Sequence, residues 1–263
     1  MKKRIISAAI LIAVLVPIII VGGLPFKILT GIIGILAYKE IIGINADKRY
    51  PLPVIVLGLA SMMFLIINRS NIAFSIIGID YKRIIAVILL MFTPVVFYYG
   101  NGKYKSSDAF NLTMFIIFIG ITLSLLSNIL VYSKGYFYLI LIATIMTDTF
   151  AYFVGVFIGK RHFSKISPNK TVEGCIGGLV MGTILSTIYY MTFIGVKEIY
   201  VVIPCMILLT GMCEIGDLFF SAIKREYGIK DFSSLIPGHG GVMDRLDSLI
   251  FVTLTYVLIS GII

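Results

Sequence analysis

Apolar runs of membrane-crossing length recur along this chain with only short gaps between them, and they constrain its folding more than any other feature. They lie at about Ile5 to Val21, 27–44, 52–68, 84–100, 112–132, 136–158, 173–195, 199–222 and 248–263. About 20 apolar residues span the hydrocarbon core as a helix. Lipid offers no water to unpaired backbone groups, and the strand alternation of a barrel is absent, so helices are the expected element. The chain therefore reads as an all-α, polytopic integral membrane protein with about nine transmembrane helices; the close spacing would also fit eight or ten. Lys2, Lys3 and Arg4 before the first run would suit a signal peptide. That run is long, however, no small-residue cleavage site follows it, and a second run begins straight after Pro25, so an anchoring helix is expected.

Composition agrees: 59% of residues are hydrophobic and only 13% charged, against about 25% charged in soluble proteins. A soluble domain, a disordered chain and a secreted disulfide scaffold are excluded. The net charge of +9 does not indicate nucleic-acid binding, because the basic residues sit in the gaps between apolar runs. With nine crossings and a cytoplasmic N-terminus, 16 of the 22 basic residues fall on the cytoplasmic side. The exceptions are Lys27, Arg69, Lys82, Arg83, Lys134 and Lys197. This bias places the N-terminus and the basic loops in the cytoplasm, with the C-terminus outside a cell membrane. Cations so placed would meet an anionic membrane face and a phosphate-bearing substrate. Cys175, Cys205 and Cys213 lack metal-ligand spacing and read as small core residues.

Acids divide the chain. Residues 1–135 hold only Glu40, Asp47, Asp80 and Asp108, all in or near loops, and read as scaffold helices. Residues 136–263 hold acids inside apolar helices and read as the catalytic region of the same membrane body. Glu214, Asp217, Ser221 and Lys224 fall within about 80° of one helix face. An ionised carboxylate at membrane depth costs several kcal/mol unless paired, metal-bound or wetted. This stripe should therefore face a hydrated, protein-lined cavity, the bland alternative being a structural ion pair. Asp148, Tyr152, Gly155 and Gly159 likewise share a face, the two glycines permitting a close helix approach.

Two basic stretches carry phosphate-binding chemistry. In the first, Gly159 to Gly174, Ser167, Lys170 and Thr171 precede a helix start whose backbone N–H groups suit phosphate oxygens. The second, Ser221 to Asp247, joins Lys224, Arg225, Lys230 and Arg245 to Asp231, Asp244 and Asp247 around a turn of Pro237, Gly238, Gly240 and Gly241. Carboxylates hold Mg²⁺, cations neutralise phosphate oxygens, and glycines let the backbone approach a ligand.

The fixed pattern of that second stretch is Ser221, Lys224-Arg225, Lys230-Asp231, Ser233, Ile236-Pro237, His239-Gly240-Gly241, Asp244-Arg245 and Asp247. It resembles the signature of the phosphatidate cytidylyltransferases (CDP-diacylglycerol synthases). The likeness extends upstream to Gly216–Phe220, to Ser167–Gly174 and to Asp148 through Lys160. Asn169 and Val172 depart from it, standing where the family pattern has lysine and tryptophan.

The resemblance implies that CTP and phosphatidic acid give CDP-diacylglycerol and pyrophosphate at the bilayer surface. It implies Mg²⁺ in a two-cation site, and a homodimer. Asp217 and Asp244 take the role of metal ligands, with Asp247 and Asp148 as weaker candidates. Lys224 and Arg245 join them as catalytic cations. Ser167, Lys170, Thr171, Ser221, Arg225, Lys230, Asp231, His239, Gly240 and Gly241 fall to substrate binding. A polyprenol kinase or lipid-phosphate sugar transferase would use similar groups. A transporter would be expected to repeat its broken helices in both halves, and a structural protein leaves the intramembrane acids unexplained.

Overall fold

Helix boundaries follow where apolar runs meet capping groups and turns. A computed structural model describes residues 2–45, 48–67, 81–164, 166–168, 170–238 and 240–263. Among them are nine helices: α1 (Lys2–Val21), α2 (Gly23–Gly43), α3 (Leu52–Ile66), α4 (Tyr81–Phe97), α5 (Ser106–Tyr132), α6 (Lys134–Phe157), α7 (Val172–Phe193), α8 (Ile199–Glu226) and α9 (Met243–Ile259). No strand forms among the described residues; two isolated bridges, His162 with Thr171 and Ile236 with Gly240, close loops. By length and composition, α5, α6, α7 and α8 are long and apolar enough to cross a membrane, and Leu52–Ile66 is a shorter apolar helix. The chain is an all-α membrane protein. The expectations placed on Asp47, Arg69, Asp80, Lys165, Asn169 and His239 lie outside the described residues.

Several helices extend into segments that look polar in sequence. Helix α5 starts at Ser106 rather than 112, and Asp108 in its first turn accepts the Lys105 backbone N–H at 2.7 Å. Helix α8 runs on to Glu226, with Lys224 and Arg225 in its last turn, where cations suit the negative end of the helix dipole. Helix α9 begins at Met243 rather than 248, with Asp244 in its first turn, where a carboxylate meets the positive end. Helix α6, by contrast, stops at Phe157, so Gly159 lies beyond it and does not share a helical face with Asp148.

The chain forms two compact units, Met1–Val131 with Asp231–Met243, and Tyr132–Lys230 with Asp244–Ile263. In the first, α1 packs on α2, α2 on α3 and α3 on α4. Close approach of α2 and α3 depends on Gly58: a Cβ there would stand 2.0 Å from the Tyr38 hydroxyl, which donates to the Ile55 carbonyl at 3.1 Å. Lys48 pairs with the buried Asp108.

In the second unit, α7 packs on α6 and α8. Gly174, Gly178 and Gly182 recur every fourth residue, so they share one face of α7. A Cβ on each would come within 2.7 Å of the Ala151 carbonyl, 2.7 Å of the Thr147 carbonyl and 2.3 Å of the Thr147 hydroxyl, respectively. Small residues at this spacing let two backbones meet without lipid between them. Gly155 belongs to the same seam, facing Gly174. Cys205 and Cys213 are buried and Cys175 half-buried, all as free thiols.

Candidate active site

The polar stripe on α8 meets one loop lysine. The two sides of the first basic loop pair with each other: the Phe163 N–H donates to the Lys170 carbonyl and the Val172 N–H to the Arg161 carbonyl, both at 2.9 Å. Ser167 closes the tip, its carbonyl accepting the Lys170 N–H at 3.1 Å. Half-buried Glu173 receives the N–H groups of Lys160 and Arg161 at 3.1 and 3.2 Å. Thr171 caps α7, its hydroxyl accepting the Gly174 N–H at 3.1 Å. Two groups that the sequence offers to phosphate, the Thr171 side chain and a backbone N–H at the start of α7, therefore serve each other.

So held, Lys170 places its ammonium 2.6 Å from Glu214 Oε2 and 2.7 Å from Asp217 Oδ2. Burial disfavours the Lys170 charge, but Asp217 and Glu214 outweigh it and hold its pKa above the ordinary lysine value. Ten residues along the stripe, Lys224 Nζ donates to Asp244 Oδ1 at 2.8 Å, a bond between buried groups. The two acids that the resemblance marks as metal ligands, Asp217 and Asp244, thus each carry one lysine.

Further carboxylates surround this pair. Asp148 on α6 is exposed and lies in the fields of Asp217, Lys170 and Glu214. The Cys213 thiol and the Ser248 hydroxyl reach Asp148 Oδ1 at only 3.7 and 3.5 Å. Asp247 on α9 lies in the fields of Asp217, Asp148 and Lys224 and accepts the Ser248 N–H at 2.9 Å. Among the described residues, neither Asp148 nor Asp247 has a cation within ion-pair distance. The second unit thus gathers Asp148, Glu214, Asp217, Asp244 and Asp247 near Lys170 and Lys224. That surplus of negative charge in an apolar body calls for water or further cations.

The donor set suits a hard divalent cation, since its oxygens are carboxylates and hydroxyls. Among the described residues, no three His, Cys, Asp or Glu side chains converge as a preformed cage. Mg²⁺ is commonly held by one or two carboxylates, with waters and substrate phosphates completing its shell. The arrangement fits that kind of site.

The remaining sequence candidates are spread more widely. Ser221 is buried on the α8 face. Exposed Arg225 donates to the Ile166 and Ile229 carbonyls at 3.3 and 3.2 Å, which ties the first basic loop to the end of α8. Lys230 and Arg245 are exposed in the second unit. Asp231, Gly240 and Gly241 belong to the first unit, in the turn of residues 231–243. There the Ile236 N–H donates to the Gly240 carbonyl at 2.8 Å. Gly238 and Gly240 have φ of 78° and 84°, a left-handed backbone that favours glycine.

Sequence reasoning missed three contributors. Gly178 sits against Glu214, where an added Cβ would lie 2.8 Å from Oε1; the recurrence of glycine every fourth residue on α7 was its signal. Ser248 had no signal beyond its place after Asp247. Glu40, grouped with the scaffold, holds the glycine turn.

Residues 2–262 match the model of the cytidylyltransferase family. A phosphatidate cytidylyltransferase of Bacillus subtilis (strain 168) is 34% identical over 258 residues, covering 96% of this chain and 94% of that protein. Phosphatidate cytidylyltransferases of Staphylococcus aureus (strain COL) and Staphylococcus saprophyticus are 30% and 32% identical, each over 96% of both chains. With the signature residues on α8, on the glycine turn and at the start of α9, and a match that runs almost end to end, the chain belongs to the cytidylyltransferase family.

Proposed function

We propose that the chain transfers CMP from CTP to phosphatidic acid, giving CDP-diacylglycerol and pyrophosphate. The observation that carries this reading is the pairing of Asp217 with Lys170 and of Asp244 with Lys224 inside a surplus of carboxylates. A nucleotide triphosphate and a lipid phosphate both need cations, and the oxygens that hold metal must lie beside them.

A phosphatidate oxygen attacks the α-phosphorus of CTP, the bond to the β-phosphate oxygen breaks in line, and pyrophosphate leaves. A phosphate monoester is already nucleophilic near neutral pH, so positioning and charge neutralisation supply most of the rate. Asp217 and Asp244, supported by Asp247 and Asp148, would hold Mg²⁺, which supplies charge neutralisation at the phosphates. Lys224 and Arg245 stabilise charge on the transferring group. Lys170, Arg225, Lys230 and the Gly240-Gly241 turn receive the outer phosphates. Residues 136–263 carry the chemistry, while residues 1–135 serve as scaffold.

In this reading the site faces the cytoplasm at the plasma membrane, with the N-terminus inside, the C-terminus outside and the lipid substrate drawn from the surrounding bilayer, a topology that the basic loops support. A homodimer is part of the same reading.

The test supplies the purified protein with CTP and either phosphatidate or a polyprenol, with Mg²⁺ or with excess chelator. A CMP-bearing lipid formed only from phosphatidate and only with Mg²⁺ is the expected result. A phosphorylated polyprenol, or a chelator-resistant product, would overturn the assignment.

A further inference from the structure

Glu40 lies in the region read as scaffold, near the end of α2, and it is 5% exposed. Its carboxylate accepts three hydrogen bonds from one short stretch of the signature. Oε1 receives the Val242 N–H at 2.8 Å and the Ser233 hydroxyl at 2.7 Å. Oε2 receives the Met243 N–H at 2.8 Å. Gly241 lies directly against the carboxylate, so that a Cβ there would stand 2.6 and 2.7 Å from its two oxygens. All of these groups belong to the first unit.

Sequence chemistry explains why the stretch needs an outside acceptor. Helix α9 begins at Met243, so Val242 occupies the capping position. Valine has no side-chain acceptor, and Gly241 before it has none either. The first amides of a helix have no partner within it, and Asp, Asn, Ser or Thr normally supplies one. Glu40 supplies it from another helix, bringing negative charge to the positive end of α9. It fixes the backbone of the two residues that immediately precede Asp244, and through Ser233 it also holds the start of the turn.

We infer that Glu40 is a positioning residue for cytidylyl transfer: it sets the first turn of α9 and with it the aim of the Asp244 carboxylate. This rests on the assignment of Asp244 as a metal-holding acid in the proposed reaction. Gly241 is then required for a second reason besides turn geometry, because any side chain there would displace the carboxylate from the amides it caps.

The test compares the full-length parent with Glu40→Gln and Glu40→Asp, all purified in detergent. Glutamine keeps the shape but turns an N–H donor toward a backbone N–H or the Ser233 hydroxyl. Aspartate keeps the charge but withdraws it by one methylene. Both should leave the KM for CTP within about threefold. Both should lower kcat, by about 10²-fold for Glu40→Gln, the scale of a misplacement near 1 Å, with Glu40→Asp between it and the parent. The Mg²⁺ concentration for half-maximal rate should rise several-fold in both, a change that a loss of folded protein alone would not produce. Parental kcat and Mg²⁺ dependence in Glu40→Asp would overturn the inference, even if Glu40→Gln fails to fold. A rate loss in either variant that vanishes once corrected for the folded fraction would overturn it as well. Failure of the underlying reaction is distinguishable, since the parent itself would then make no CMP-bearing lipid.

Discussion

In the first unit, two buried acids, Asp108 and Glu40, meet their partners at helix ends. Asp108 caps the start of α5 and pairs with Lys48, and Glu40 caps the start of α9. In the second, Glu214 and Asp217 share one lysine, while Asp148 and Asp247 have none at ion-pair distance among the described residues. The Asp108 and Glu40 carboxylates fasten backbone in place. Among the described residues, the second unit gathers five carboxylates, Asp148, Glu214, Asp217, Asp244 and Asp247, near only two lysines, Lys170 and Lys224. Lipid surroundings penalise such a local negative surplus. The two units carry the same apolar type of helix, so the difference lies in what their polar groups leave unsatisfied.

The sharpest way to break this comparison is to remove a carboxylate from the surplus. Asp217→Asn and Asp244→Asn should each cut turnover on the order of 10³-fold, the scale of a lost electrostatic contact in the transition state. Both proteins should elute as folded species in detergent. Near-parental rates in both would separate the cluster from the chemistry.

A second contrast concerns stability. Lys170→Met strips the ammonium from two carboxylates and should cost about 3 kcal/mol. Lys48→Met strips the ammonium from a single buried carboxylate, Asp108, which keeps the Lys105 N–H, and should cost less, about 1–2 kcal/mol. Thermal melting in detergent checks both, and added Mg²⁺ should restore more of the loss in Lys170→Met. Equal losses and equal responses to Mg²⁺ would erase the distinction between the units.

Glycines give a smaller contrast. Gly178→Ala forces a methyl toward the Thr147 carbonyl at 2.7 Å and Glu214 Oε1 at 2.8 Å. Overpacking of this kind costs about 1–3 kcal/mol, and the shift of Glu214 should lower the rate about tenfold. Gly43→Ala in the first unit meets open space and should change melting and rate little. The smallest effect is expected from Lys105→Ala: Asp108 binds the Lys105 backbone N–H, so the rate should stay within about twofold.

Much of this was legible in the sequence because lipid narrows the choices. Apolar runs located the helices, and the offsets between Glu214, Asp217, Ser221 and Lys224 put them on one face of α8, where Lys170 and Asp244 meet them. Boundaries were less legible. Met243 to Asp247 look like loop by hydropathy, yet they begin α9, because carboxylates suit a helix start and the amides there are capped from α2. Likewise Gly159 keeps helical spacing from Gly155 but falls beyond the end of α6. Glu40 was illegible for the same reason: its partners lie some 200 residues away, at separations of 193, 202 and 203. No local pattern encodes a contact of that range. A lone acid ending an apolar helix, opposite a helix start without a capping side chain, was the only available clue.

The central claim is that this chain moves the α-phosphate of CTP, with its cytidine, onto a lipid phosphate. CTP labelled at either the α- or the γ-phosphorus, supplied with phosphatidate and Mg²⁺, tests it most directly. The account predicts α label in the lipid product and γ label only in pyrophosphate. Label from the γ position in the lipid would make the protein a kinase and contradict the account.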